Sequence, residues 1–212
     1  MKSIDWKLCL VADAEAAKGR YLLNLIEKAV DSGVTLVQLR AKELQTREFL
    51  QLARQTAELL KGKSIPLLIN DRIDIALACG AEGVHLGQED IPLAYARKIL
   101  GKKKRIGISV NTVNEAEEAE KGGADYLGVG PVYYTPSKRD LKAILGPSGL
   151  KVIRERVKIP ILAIGGINAE NATDVMSCGV DGIAVISALM GAEDIAEATK
   201  ELLQKINKGV AS

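Results

Sequence analysis

A single α/β domain, a (β/α)8 TIM barrel over residues 1–212, is the fold class that three features of this sequence predict. Eight short apolar runs alternate along the whole chain with eight amphipathic segments. The runs are nearly continuously apolar, as strands of a parallel sheet covered by helices must be. Glycine recurs where a helical pattern gives way to the next strand, the place where a left-handed residue ends a helix. An open doubly wound sheet is the alternative architecture. The count of eight favours closure, a chain of 212 residues suits a barrel of roughly 200–250, and no GxGxxG follows the first strand as a dinucleotide fold would require.

The elements follow in order. "LCLVAD" is the first strand, and 21–31 is a helix because Leu22, Leu25, Ile26, Ala29 and Val30 recur at three-to-four spacing. "TLVQLR" precedes a helix over 47–61, "PLLIND" one over 73–79 and "GVHLGQ" one over 93–100. "RIGISV" leads to 114–121, "YLGVGP" to 150–157, "PILAIGG" to 171–178 and "GIAVIS" to 194–206. The joints "SGVT", "CGAEGV", "KGGADY" and "CGVDGI" supply the glycines that stop four of these helices.

Composition narrows the partners. The formal net charge of +2, from 29 basic and 27 acidic residues, is far from the basic footprint of a nucleic-acid binder, and 3% aromatic content provides no base-stacking platform. No nucleic-acid partner is expected, and Trp6 and Phe49 read as packing residues. No stretch approaches the roughly 18 apolar residues of a membrane span, and the start "MKSIDWKLCLVADAE" has no long apolar signal core. The expected location is cytoplasmic. Cys9, Cys79 and Cys178 are odd in number and far apart, so they read as buried thiols in a reducing compartment. Apolar positions on the outer helices leave a homo-oligomer open.

In such a barrel the reactive groups stand at the carboxyl ends of the strands. Strand two ends in Gln38, Arg40 and Lys42, which share one side at period two and suit a multiply charged phosphate; pairing with Glu43 or Glu48 is the plainer reading. Strand three ends in Asn70 and Asp71, and strand four delivers His85, Gln88 and Asp90. Asp71 and Asp90 sit on adjacent units and can converge on Mg2+, which takes one or two protein carboxylates and completes its shell with water and phosphate oxygens. Each can instead cap the helix that follows it. Ser109 ends strand five. Gly165 and Gly166 end strand seven and Ser187 strand eight, where barrels often hold phosphate. The longest connection, 130–149, carries Tyr133, Tyr134, Thr135, Ser137, Lys138 and Arg139 and suits a cover over an anionic substrate.

The ordered series "QLRAK", "LLIND", "GVHLGQED", "GIS", "GPVYYTPSK", "AIGGI" and "VIS" resembles the thiamin-phosphate synthase (thiamin-phosphate pyrophosphorylase) family over nearly the whole chain. That resemblance implies an enzyme, a transferase that joins a hydroxymethylpyrimidine diphosphate to a hydroxyethylthiazole phosphate with Mg2+ as cofactor and releases diphosphate. It implies that Gln38, Arg40, Lys42, Asn70, Ser109 and Lys138 bind the diphosphate substrate and that Asp71 and Asp90 hold magnesium. Thr135, Ser137, Gly166, Ile186 and Ser187 would receive the thiazole phosphate. Tyr134, Ser137 and Val110 depart from the family's common residues, and the departures bear on loop behaviour and efficiency more than on the reaction.

The expected chemistry is dissociative. Magnesium, Arg40, Lys42 and Lys138 would stabilise charge on the leaving diphosphate, with Ser109 in contact with the same substrate, and the thiazole nitrogen would attack the resulting pyrimidine-stabilised cation. No Ser-His-Asp constellation is needed, so His85, the single histidine, reads as a positioning or packing residue. Two rivals stand beside this reading: a thiazole tautomerase-like isomerase, which would need acid–base groups more than a diphosphate site, and a non-catalytic barrel that binds a phosphate metabolite.

Overall fold

The computed structural model describes residues 4–135 and 143–210. Eight strands alternate with helices: β1 (Leu8–Asp13), α1 (Leu22–Asp31), β2 (Leu36–Arg40), α2 (Thr46–Lys63), β3 (Leu67–Asn70), α3 (Ile73–Cys79), β4 (Gly83–Leu86), α4 (Leu93–Leu100) and β5 (Arg105–Val110). The chain continues through α5 (Val113–Lys121), β6 (Tyr126–Val129), α6 (Gly146–Arg156), β7 (Ile161–Ile164), α7 (Ala172–Met176), β8 (Gly182–Val185), α8 (Ser187–Met190) and α9 (Ile195–Val210). Every strand is parallel to its neighbours, and β8 pairs with β1 to close the barrel.

Alternation along the strands builds two cores. Leu8, Leu10 and Ala12 of β1 and Val37 and Leu39 of β2 face outward and pack with the helices. Cys9, Val11, Leu36, Leu68, Tyr126, Leu162 and Ala184 fill the barrel interior, with Trp6 packed against them. The Trp6 ring centroid lies 4.7 Å from that of Tyr126, which gives Trp6 the packing role its isolation predicts. Phe49 is buried against the outer core. Because the period is two, the residues that continue the inward-facing rows at the carboxyl ends are polar: Asp13 after Val11, and Gln38 and then Arg40 after Leu36.

The glycine joints hold. Gly33, Gly80, Gly123 and Gly179 all have positive φ, with Gly80 the left-handed C-cap of α3. Helix α8 is the element the sequence reading missed: Ser187, read as a strand end, begins a helix of four residues. A helix that short contains about one turn, too little for a 3.6-residue period to stand out from the apolar run "AVISALM". Helix α6 also begins at Gly146 rather than 150. No helix among the described residues is long and apolar enough to cross a membrane.

Candidate active site

A cavity of about 980 Å3 opens among the carboxyl ends of the strands. Arg40, Lys42, Asn70, Asp71, Asp90, Ser109, Thr135, Gly166, Ile186 and Ser187 all line it. Gln38 does not; it is buried at 4% exposure in the layer beneath Arg40. Ser137 and Lys138 lie outside the described residues.

The barrel register sets the cation on β2. Asp13 and Arg40 are cross-strand partners, and their side chains form a salt bridge in which both groups are largely buried. The other Asp13 oxygen, Oδ1, accepts from the Glu15 N–H at 2.9 Å and the Ala16 N–H at 3.2 Å, so the carboxylate is fixed on three sides. Arg40 therefore reaches the cavity already oriented, although neither Glu43 nor Glu48 is its partner. Glu48 instead joins Gln45 in a capping box at the start of α2. Asp13 was not foreseen; an acid closing an otherwise apolar strand in "LCLVAD" is the signal that marks it.

Asp71 and Asp90 meet at the next two strand ends. Asp71 is held at φ +62°, its N–H donating to the His85 carbonyl at 2.9 Å, and its Oδ2 lies 3.1 Å from Lys42 Nζ. A left-handed aspartate is uncommon, and here it turns the side chain back over the mouth instead of along the strand. Asp90 Oδ2 accepts the Gly87 N–H at 2.6 Å. Partial burial pushes the Asp90 carboxyl above its usual range, and the adjacent Asp71 carboxylate pushes in the same direction. The Gly87 N–H and Lys42 oppose the rise. Neither acid caps a helix: α3 has Arg72 and α4 has Pro92 at the N-cap position, with no side-chain cap bond at either.

The rise at Asp90 beside a second carboxylate marks a place short of positive charge, and a divalent ion would relieve that better than one ammonium. Among the described residues no third His, Cys, Asp or Glu joins them. A pair of carboxylates beside an open cavity fits the habit of magnesium, which keeps its remaining positions for water and phosphate oxygens.

Across the mouth, Gly165 and Gly166 have φ values of +100° and +67°. A side chain on either would strike the loop after β6: a Cβ on Gly165 would stand 2.6 Å from Pro131 Cα, and one on Gly166 would stand 2.4 Å from the Tyr134 carbonyl oxygen. Both glycines thus let residues 131–134 lie directly on the β7 turn, where the Tyr133 N–H donates to the Gly165 carbonyl at 2.9 Å. Asn111 ties the two sides of the same connection, donating to the Gly130 and Ala143 carbonyls at 3.2 and 2.9 Å. The short α8 is held from behind by Arg20, whose guanidinium donates to the Met190 and Ala192 carbonyls. Asn111 and Arg20 also escaped the sequence reading, because their partners are backbone atoms far away in the chain.

Below Ser109 the barrel is polar for one more layer. His85 Nε2 lies 2.8 Å from Ser109 Oγ, and Nδ1 lies 2.7 Å from the Tyr126 hydroxyl. Both ring nitrogens thus meet hydroxyl groups, a place that suits a positioning or a packing residue. The three cysteines are free thiols; Cys9 and Cys178 are buried as expected, Cys79 at the end of α3 is only half-buried, and burial pushes the Cys9 thiol up to about 12.

Comparison with known proteins agrees with this geometry. Residues 8–189 match the family model described as thiamine monophosphate synthase. The chain is 53% identical over 199 residues to the thiamine-phosphate synthase of Clostridium novyi (strain NT), covering 94% of this chain and 98% of that protein. It is 52% identical over 204 residues to that of Syntrophomonas wolfei, covering 96% and 98%. Among solved structures, thiamine phosphate pyrophosphorylase from Pyrococcus furiosus superposes with a TM-score of 0.89 at 40% identity, covering 98% of each chain. The chain therefore belongs to the thiamine monophosphate synthase family and is an enzyme of that family, a transferase.

Proposed function

We propose that the protein couples 4-amino-2-methyl-5-hydroxymethylpyrimidine diphosphate with 4-methyl-5-(2-hydroxyethyl)thiazole phosphate, giving thiamin phosphate and diphosphate. One observation carries this reading. A single cavity has Arg40, Lys42, Asn70, Asp71, Asp90 and Ser109 on one wall and Thr135, Gly166, Ile186 and Ser187 on the other, so two phosphorylated molecules can meet inside it. A barrel that shifted protons on one thiazole phosphate would have no use for the first wall.

Asp71 and Asp90 would hold magnesium. When bound, that ion supplies positive charge to the diphosphate oxygens and lowers the cost of their departure. Arg40, fixed by Asp13, would grip the diphosphate with its planar fork, and Lys42 would add a point charge. Lys138 and Ser137, outside the described residues, are assigned from the resemblance alone. The bond between the methylene carbon and the diphosphate oxygen breaks with its electron pair leaving on oxygen. The electron-rich aminopyrimidine ring shares the positive charge left on carbon, and the thiazole nitrogen lone pair forms the new C–N bond. No protein nucleophile or base is consumed, in keeping with a rim of phosphate binders.

The test is direct. Purified protein, magnesium and both substrates are incubated, and thiamin phosphate and diphosphate are measured against a protein-free control. Equal formation of the two products supports the reading. Correctly folded protein that makes no product above the control would remove it.

A further inference from the structure

We infer that Tyr126, acting through His85, fixes the Ser109 hydroxyl as a hydrogen-bond donor aimed at a lone pair of the substrate; this deepens the coupling reading and rests on it for the substrate's identity. The direction of each hydrogen bond follows from accounting. Tyr126 has 0% exposure, and its hydroxyl has one partner among the described residues, His85 Nδ1 at 2.7 Å. A phenol has one proton to give, and leaving it buried without an acceptor costs about 1–3 kcal/mol. Tyr126 therefore donates, and Nδ1 must be the unprotonated nitrogen. The imidazole carries its proton on Nε2 and donates it to Ser109 Oγ at 2.8 Å. The Ser109 proton is thereby freed for an acceptor in the cavity that Ser109 lines.

The barrel is shaped for this chain. A Cβ on Gly107 would stand 2.0 Å from Tyr126 Cζ, and one on Gly128 would stand 2.6 Å from His85 Cε1. Two glycines on neighbouring strands thus vacate the volume that the phenol and the imidazole occupy. Burial also holds the Tyr126 phenol protonated well past its ordinary titration range. Tyr126 and His85 are positioning residues, and Ser109 is the group that touches substrate.

The chain holds a single histidine, so one imidazole reports the whole arrangement. Tag-free protein labelled with 15N-histidine, studied by long-range 1H–15N correlation without substrate, is expected to show the Nε2–H tautomer alone. An Nδ1–H tautomer, or a doubly protonated ring at neutral pH, would overturn the inference. This outcome is independent of what the enzyme couples. In Tyr126→Phe the single tautomer should be lost and kcat should fall about tenfold, the worth of one hydrogen bond, with little change in the KM for the thiazole phosphate. Unchanged tautomer and turnover in that variant would remove Tyr126 from the role. A lost tautomer with unchanged turnover would remove the donor role of Ser109. Should Tyr126→Phe fail to fold, the wild-type tautomer still decides.

Discussion

Asp13 shows how much a single buried carboxylate can organise. It gains the Arg40 guanidinium and two backbone N–H groups, and it holds the cation where the cavity needs it. Arg40→Ala should lower the unfolding free energy by about 2 kcal/mol, less than the roughly 3–5 kcal/mol of breaking a fully buried pair, because Asp13 keeps its backbone partners. Urea titration followed by circular dichroism reads that loss, and an unchanged midpoint would show the pair to be energetically idle. Asp71 belongs to the same scale. Asp71→Asn should raise the magnesium concentration for half-maximal turnover at least about tenfold. A magnesium titration superimposable on wild type would deny it a place in the ion's shell. The end of an apolar run marks Asp13, but its role, like that of Tyr126, is not legible in the sequence: their partners lie 27 and 41 residues away and meet them only through the barrel register. Arg40, Asp71 and Asp90 were legible as cavity residues because each closes an apolar run, and the carboxyl ends of the strands open on the barrel mouth.

At the scale of elements, the strands supply volume as well as direction. Gly128 sits on β6 where a methyl group would press on His85. Gly128→Ala should cost about 1–3 kcal/mol through overpacking and should reduce turnover by displacing the imidazole. Thermal melting and kinetics together check this, and a variant equal to wild type in both would mean that the interior has slack. Helix α9 offers a test away from the site. The Asp194 carboxylate accepts the Ala196 and Glu197 N–H groups at 2.8 and 3.2 Å, and these bonds hold its pKa below the usual carboxylate range. The folded value being lower than the unfolded one, the stability it contributes is present above the ordinary carboxylate pKa and is lost as pH falls through the depressed value. Asp194→Ala should accordingly lower the melting temperature at neutral pH and make a smaller difference in strong acid. A pH-independent difference between the two proteins would contradict the capping account. Strand and helix order was readable from periodicity, and the four glycine joints from their sequence alone. Helix α8 was not, because one turn carries no period.

For the whole molecule, closure of the barrel is what turns separate strand ends into one site. The charges of β2, the acids after β3 and β4, Ser109 near the end of β5 and the rim after β7 and β8 line a common cavity only because β8 returns to β1. The most direct measurement of this convergence is a crystal structure of the protein soaked with diphosphate and Mn2+ in place of magnesium, with the metal located by its anomalous scattering. Manganese bound to Asp71 and Asp90, with the diphosphate it bridges held by Arg40 and Lys42, is the predicted result. A metal peak elsewhere, or diphosphate bound away from Arg40, would contradict the claim that the strand ends form one diphosphate-releasing site.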